Sequence, residues 1–292
     1  MKLCIRCEKT LESRNWRCPH CSYEPDIIEG HVAFAPDMAR KSEGFEAEYF
    51  ARLADQEAGN FWFRSRNRLL IWALQHYFPK AETFLEIGCG TGFVLSGFKA
   101  AFPDLVLSGS EVFSEGLGFA ASRLPGVELF QMDARRIPFK DEFDVVGAFD
   151  VLEHVKQDEE VLAQMHQAVH KGGGILITVP HHPFLWSDSD EFARHVRRYR
   201  AHELRAKVMK TGFDVLRITS FVSLLMPLLI FSRFKQRLSR EPFDPSSEFN
   251  INASLNAAME KTLDAERTLI RRGFSFPVGG SLLLVGRRTD AT

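Results

Sequence analysis

Short apolar runs, each closed by a glycine, a carboxylate or a proline, recur through the middle of the chain. Leu85-Glu86-Ile87 runs into Gly88, and Leu105–Ser110 ends at Glu111. Val127–Met132 ends at Asp133, Phe143–Phe149 at Asp150, and Ile175–Val179 at Pro180. With the mixed segments between them they read as strand and helix in alternation, which predicts an α/β fold built on a parallel, doubly wound sheet. Phe143–Phe149 is almost wholly apolar, as expected of a strand covered on both faces. Ahead of the first strand, Asn60 onward predicts a helix with Trp62, Phe63, Leu69, Leu70 and Trp72 on its apolar side. Further helices are predicted from about Ala201 and over 253–272, and Gly279–Gly286 reads as the last strand. His170–Gly174 reads as the end of a helix. Residues 24–45, with Pro25, Gly30, Pro36 and Gly44, read as a loosely structured connector.

The loop after the first of these strands carries the candidate chemistry. Gly88, Gly90 and Gly92 permit positive φ and close backbone approach to a ligand, and the helix predicted to follow would turn its free N–H groups toward the site. The spacing is G-x-G-x-G, whereas a dinucleotide loop uses G-x-G-x-x-G to admit a pyrophosphate. Glu86, just inside the strand, would repel a pyrophosphate and could hold an ammonium group. Glu111 follows at roughly the twenty-residue distance at which Rossmann-type folds present an acid to ribose hydroxyls. In such sheets ligands lie beyond the carboxyl ends of the strands, where Glu86, Glu111, Asp133 and Asp150 fall.

Leu85–Phe93 closely resembles motif I of the class I S-adenosylmethionine-dependent methyltransferases, and the resemblance extends over roughly residues 60–220. It implies a Rossmann-like, seven-stranded sheet with an antiparallel last strand. It also implies that Glu86, Gly88, Cys89, Gly90 and Gly92 form the cofactor loop and that Glu111 binds the ribose. Asp133 would accept from the adenine amino group, with Val112, Met132 and Ala134 adjoining and Asp150 completing the set. Arg66, in the helix before the first strand, is the candidate for the methionine carboxylate; the ordinary alternative is a solvated face formed by Arg64, Arg66 and Arg68. Val151-Leu152-Glu153-His154-Val155 and His195-Val196-Arg197-Arg198-Tyr199 resemble segments of small-molecule, quinone-type methyltransferases. Histidine titrates near neutrality and can act as a general base on a hydroxyl. His154 and His195 are the catalytic candidates, with His181 and His182 also in view. Asp150-Val151-Leu152-Glu153 departs from the Asn/Asp-Pro-Pro-Tyr motif of nucleic-acid amino methyltransferases, which favours a small acceptor and O-methylation.

Cys4-x-x-Cys7 and Cys18-x-x-Cys21 match two knuckles of a tetrahedral zinc site, and residues 1–24 look like a zinc ribbon. Four thiolates close the coordination sphere, so such a Zn2+ is structural. Met1-Lys2-Leu3-Cys4 has no apolar leader, which favours a reducing cytoplasm over disulfides. Cys89 reads either as a reactive thiol or as a small residue that the turn tolerates. The expected organisation is a ribbon at 1–24, a connector at 25–59, and a methyltransferase domain at 60–292 with an apolar insertion at about 221–272.

The chain has 292 residues and a net charge of −1, so bulk electrostatics give no case for nucleic acid. Its 26 Phe residues point to a large aromatic core and an apolar acceptor cavity. Phe221–Phe234 is the most apolar run and is too short to span a bilayer. It reads as core, as a lid over a lipid-like or aromatic acceptor, or as an interfacial membrane helix; the neighbouring Arg233, Lys235, Arg237 and Arg240 favour surface contact. The reading is a methyltransferase that releases S-adenosylhomocysteine, cytoplasmic or peripheral at a membrane, acting on a small apolar or aromatic acceptor. Its rivals are an RNA or protein methyltransferase docked through the ribbon, whose basic Lys2, Arg6, Arg14 and Arg17 permit it, and a non-catalytic cofactor-binding adaptor.

Overall fold

The computed structural model describes residues 1–12, 15–40, 49–238 and 251–289, with backbone alone at 235–238. Arg14, Gly44 and Arg240 therefore lie outside the described residues, as do the side chains of Lys235 and Arg237.

The chain begins with two short antiparallel pairs, β1 (Lys2–Leu3) with β2 (Thr10–Leu11), and β3 (Asp26–Ile28) with β4 (His31–Ala33). Helices α1 (Tyr49–Gln56) and α2 (Phe61–Tyr77) follow. The alternating part runs β5 (Thr83–Ile87), α3 (Phe93–Ala101), β6 (Val106–Glu111), α4 (Ser114–Arg123), β7 (Glu128–Gln131) and β8 (Phe143–Phe149). It continues through α5 (Asp158–Ala168), β9 (Val169–Pro180), α6 (Asp188–Phe192), α7 (Ala201–Lys210) and β10 (Phe213–Phe221). Helices α8 (Met226–Leu238) and α9 (Ala253–Arg271) precede the last strand, β11 (Ser281–Arg288).

Seven strands take the order β7-β6-β5-β8-β9-β11-β10. Those from β7 to β9 pair in parallel, and β11 runs antiparallel to both its neighbours. Successive side chains of a strand point to opposite faces, and β8 shows why its sequence is apolar throughout. Val146 and Ala148 pack on one side with Leu162 and Met165 of α5 and Val208 of α7. Val145 and Phe149 pack on the other with Leu70 and Leu74 of α2 and Phe98 of α3. Many of the phenylalanines do serve as core: Phe84 meets Phe98 edge-on with ring centroids 4.9 Å apart.

Two expectations are corrected. Part of the supposed connector is ordered sheet: β4 pairs in parallel with β7, and β3 with β4, extending the sheet to nine strands. Their two-residue turn has positive φ at both Glu29 and Gly30, the type I′ pattern that matches strand twist. Glutamate is an unusual first residue for such a turn, so the local signal was weak. His170–Gly174 belongs to the entry of β9, after α5 has ended at Ala168. The pairing jumps there from Phe143↔Val169 to Val145↔Gly174, and a Cβ on Gly174 would lie 2.1 Å from Phe78 Cζ. The glycines are needed for a bulge and a close approach.

The cysteine-bearing segment is fastened to this body. Trp16 packs edge-on against Phe34, Phe130 and Phe139, with centroids 4.6, 5.8 and 5.6 Å away. Leu3 N–H donates to Pro138 O, and Arg136 donates to Ile5 O. Among the described residues, no helix is long and apolar enough to cross a membrane.

Candidate active site

The loops at the carboxyl ends of β5, β6, β7 and β8 surround a cavity of about 1270 Å³. Arg66, Glu86, Gly88, Cys89, Gly90, Glu111, Val112, Met132, Asp133, Ala134 and Asp150 all line it. Gly92 does not. It is the left-handed N-cap of α3, and its Cβ position falls 2.8 Å from Leu124 Cδ1, so its smallness serves helix packing. Gly88 has φ +66°, and a Cβ there would meet Val151 Cγ2 at 2.5 Å. Cys89 is buried among core side chains, and burial pushes its thiol well up, which makes it the tolerated small residue and not a nucleophile.

The four acids are held differently. Glu86 is buried and its Oε2 has no hydrogen-bond partner. Burial pushes its carboxyl well above the usual range, against the pull of Arg66. Glu111 accepts from the N–H groups of Val112 at 2.8 Å, Gly90 at 3.0 Å and Phe113 at 3.3 Å. Burial still raises its pKa, and those amides oppose the rise. Asp133 pairs with Arg135 at 2.9 Å. Asp150, at φ 58°, forms an ion pair with Arg66, whose guanidinium lies 4.4 Å from the centre of the Trp62 ring. Arg66 is thus inside the cavity and buried, not part of a solvated face; its neighbours Arg64 and Arg68 pair with Glu260. The unpartnered Glu86 oxygen beside the glycine turn fits the ammonium end of an amino-acid-like cofactor.

Beyond Asp150, a 3-10 turn at Leu152–His154 brings Glu153 and His154 to the cavity, where His195 and Arg198 join them. Burial, with His195 beside it, pushes His154 down to about 3. It is neutral at physiological pH and a weak proton acceptor, which counts against the expected general base. His195 Nδ1 lies 2.8 Å from Asp190 Oδ1. His181 and His182 do not line the cavity; His181 Nδ1 is 2.9 Å from Ser220 Oγ, and its ring stacks on His182 at 3.4 Å. Sequence reasoning did not single out Glu153, Asp190 or Glu57. Asp190 had a local signal, since Ser187-x-x-Asp190 forms the capping box of α6. Glu57 is recognisable only in three dimensions, where it accepts from Thr91 Oγ1 at 2.6 and 2.7 Å and from Arg123 at 2.9 Å.

The remaining wall is apolar. Leu225, Leu228 and Leu229 at α8, Trp62 of α2, and Leu255 and Met259 of α9 face the cavity. Glu266 of α9 fixes the start of this wall by accepting from the N–H groups of Ser223 and Leu224 at 2.6 and 2.7 Å. On α8, Phe231 and Phe234 are 65% and 60% exposed.

At the N-terminus, Cys4, Cys7, Cys18 and Cys21 come together with ligand atoms within 4.8 Å of one another. The Cys4–Cys21 and Cys7–Cys18 sulfurs are each 3.6 Å apart, near the ~3.8 Å edge of a tetrahedron with zinc–sulfur bonds of ~2.3 Å. This donor set suits Zn2+, and all four thiols are free of disulfides.

Known proteins resemble this chain. A phosphatidylethanolamine N-methyltransferase of Cereibacter sphaeroides is 32% identical over 109 residues, covering 35% of this chain and 52% of that protein. A dTDP-3-amino-3,4,6-trideoxy-alpha-D-glucopyranose N,N-dimethyltransferase of Streptomyces venezuelae is 31% identical over 124 residues, covering 41% and 52%. The chain thus spans about half the length of each. Phosphoethanolamine N-methyltransferase 2 of Haemonchus contortus, solved with S-adenosyl-L-methionine, shares the fold with a TM-score of 0.54 at 16% identity, over 86% of this chain and 60% of that one. The family described as a methyltransferase domain matches residues 53–218, more than half of the sequence. On that match, with the strand order and glycine turn already described, the chain belongs to the methyltransferase domain family and has the class I fold.

Proposed function

We propose that this protein transfers a methyl group from S-adenosylmethionine to an oxygen of a small apolar or aromatic acceptor, lipid-like ones included. The carrying observation is the cavity: about 1270 Å³ exceeds the roughly 300–1,000 Å³ of a pocket for one drug-sized ligand. It has room for a cofactor at its acidic end and an acceptor against its apolar wall.

When bound, S-adenosylmethionine supplies an electrophilic methyl on a sulfonium centre. In this reading Glu86 holds the ammonium group, and Arg66, steadied by Asp150, faces the carboxylate. Glu111 and Val112 hold the ribose, while Asp133, Met132 and Ala134 hold the adenine. Gly88, Cys89 and Gly90 give the backbone its close approach, and Gly92 lets α3 begin beside it. His154 and His195 are placed at the acceptor's hydroxyl. The apolar wall keeps water from the reacting centre, so positioning carries much of the rate. Cys4, Cys7, Cys18 and Cys21 bind a structural Zn2+ in a ribbon over residues 1–24, ahead of the segment 25–59 and the methyltransferase domain at 60–292. The exposed apolar residues of α8 support contact with a membrane surface or a lipid-like acceptor by a protein otherwise placed in the cytoplasm.

The test is calorimetric titration of the zinc-loaded protein with S-adenosylhomocysteine, with Glu111→Ala alongside. Micromolar binding that the variant loses supports the cofactor site; no binding by the parent protein overturns it. A protein that binds cofactor yet methylates none of a set of phenolic and lipid-like acceptors is the adaptor instead. If removal of residues 1–24 abolishes activity on RNA or protein and spares cofactor binding, the ribbon is a docking module.

A further inference from the structure

The acceptor end of the cavity contains ligand chemistry of its own. Glu153, His154 and His195 can each offer one ligand atom, and these atoms all lie within 4.8 Å of one another. All three residues line the cavity. Glu153 is fully buried, and neither of its carboxylate oxygens has a hydrogen-bond partner. A buried charge without a partner is costly, and the acid that flanks it three residues earlier, Asp150, already pairs with Arg66.

His195 is braced from behind. Its Nδ1 lies 2.8 Å from Asp190 Oδ1, which also accepts from Arg198 Nε at 2.7 Å. The other oxygen of Asp190 accepts from Ser187 N–H and Oγ–H at 2.9 and 3.1 Å. Asp190 is 1% exposed. An Nδ1–H donated to this carboxylate leaves the lone pair of His195 on Nε2. A carboxylate behind one ring nitrogen is the arrangement that fixes the tautomer and orientation of metal-ligating histidines. The His154 ring meets His195 edge-on, with centroids 4.7 Å apart.

We propose that Glu153, His154 and His195 bind one divalent first-row transition-metal ion, with Asp190 as the positioning residue for His195. Two imidazoles and one carboxylate form the donor set of open, facially ligated sites, whereas Mg2+ and Ca2+ favour all-oxygen shells. All three residues line a cavity large enough for an acceptor as well. An ion there draws in an oxygen of the acceptor and lowers its pKa, acting as a Lewis acid. That role rests on the methyl-transfer reading; the binding of the ion does not.

The experiment uses the zinc-loaded full chain titrated with MnCl2, with free Mn2+ read by electron paramagnetic resonance. Mn2+ is a first-row transition-metal ion that binds imidazole and carboxylate but competes poorly with zinc for thiolates, so it leaves the cysteine site to zinc. The expected result is one Mn2+ per chain, weakened at least ~10-fold in Glu153→Gln and in His195→Gln, and ~10–100-fold in Asp190→Asn. Exposed Glu159→Gln leaves it unchanged. Absence of stoichiometric Mn2+ binding, or binding that survives His195→Gln, overturns the inference. If Glu153→Gln does not fold, the variants at His195 and Asp190 decide. The same samples are titrated with S-adenosylhomocysteine. Cofactor binding without Mn2+ binding removes the metal site alone, and Mn2+ binding without cofactor binding removes the methyl-transfer reading alone.

Discussion

Gly88 is the residue at which backbone and side-chain constraints meet. Its left-handed φ and the 2.5 Å approach of Val151 leave no room for a Cβ. Gly88→Ala is expected to displace the loop after β8, weaken S-adenosylhomocysteine binding at least ~10-fold, and destabilise the fold by ~1–3 kcal/mol; calorimetry and thermal melting measure the two effects separately. The glycine loop and the strand-end acids were legible in sequence because each sits next to the strand that presents it. Glu57 and Asp190 were not. Glu57 is tied to Thr91 and Arg123 over 34 and 66 positions, and only the folded chain shows that a buried carboxylate is partnered there. His154 was legible as a cavity residue but not as a weak base, because burial sets its proton affinity.

Helices α2 and α9 are joined by Arg64 and Arg68, which both meet Glu260. The Arg64 hydrogen bond, with help from Arg68, holds the Glu260 carboxyl down at about 2. A depressed carboxyl contributes stability that is complete above its ordinary value of 4.5 and is lost as pH falls through about 2. Glu260→Gln should therefore melt ~1–3 °C below the parent at pH 7, and the gap should shrink as the pH is lowered from 4.5 toward 2. Thermal melts of both proteins across that range test the sign; a gap that widens in acid contradicts it. The helices themselves were readable from apolar spacing. The β3–β4 hairpin was not, because its signal is a three-dimensional twist match carried by Glu29-Gly30.

At the scale of the whole molecule, the N-terminal segment is part of the body. Trp16 covers Phe34, Phe130 and Phe139, two of which lie in the methyltransferase domain proper. Trp16→Ala is expected to cost ~2–3 kcal/mol, below the ~3–5 kcal/mol of a fully buried aromatic, because Trp16 is only partly buried. If the cysteine cluster holds zinc as proposed, a chelator should loosen the same contact, seen as a red shift in tryptophan fluorescence and a lower melting temperature, while S-adenosylhomocysteine still binds. Unchanged melting after complete zinc removal would show that the cysteines contribute no structural energy. The doubly wound architecture was legible because its period repeats; the attachment of the cysteine-bearing segment was not, because it depends on Trp16 meeting Phe130 and Phe139, more than a hundred positions away.

The hairpin at 26–33 also changes what the sheet offers to other chains. Without it, the sheet would end on β7, whose parallel partner groups would be open to any strand of suitable twist. With β4 paired to β7 and β3 beyond it, the edge is a strand of only three residues that starts at the exposed Asp26. Short, charged edges are poor templates for strand addition. The segment that looked like a tether therefore caps the edge of the sheet, and trimming the chain back to residue 60 is expected to leave the β7 edge open.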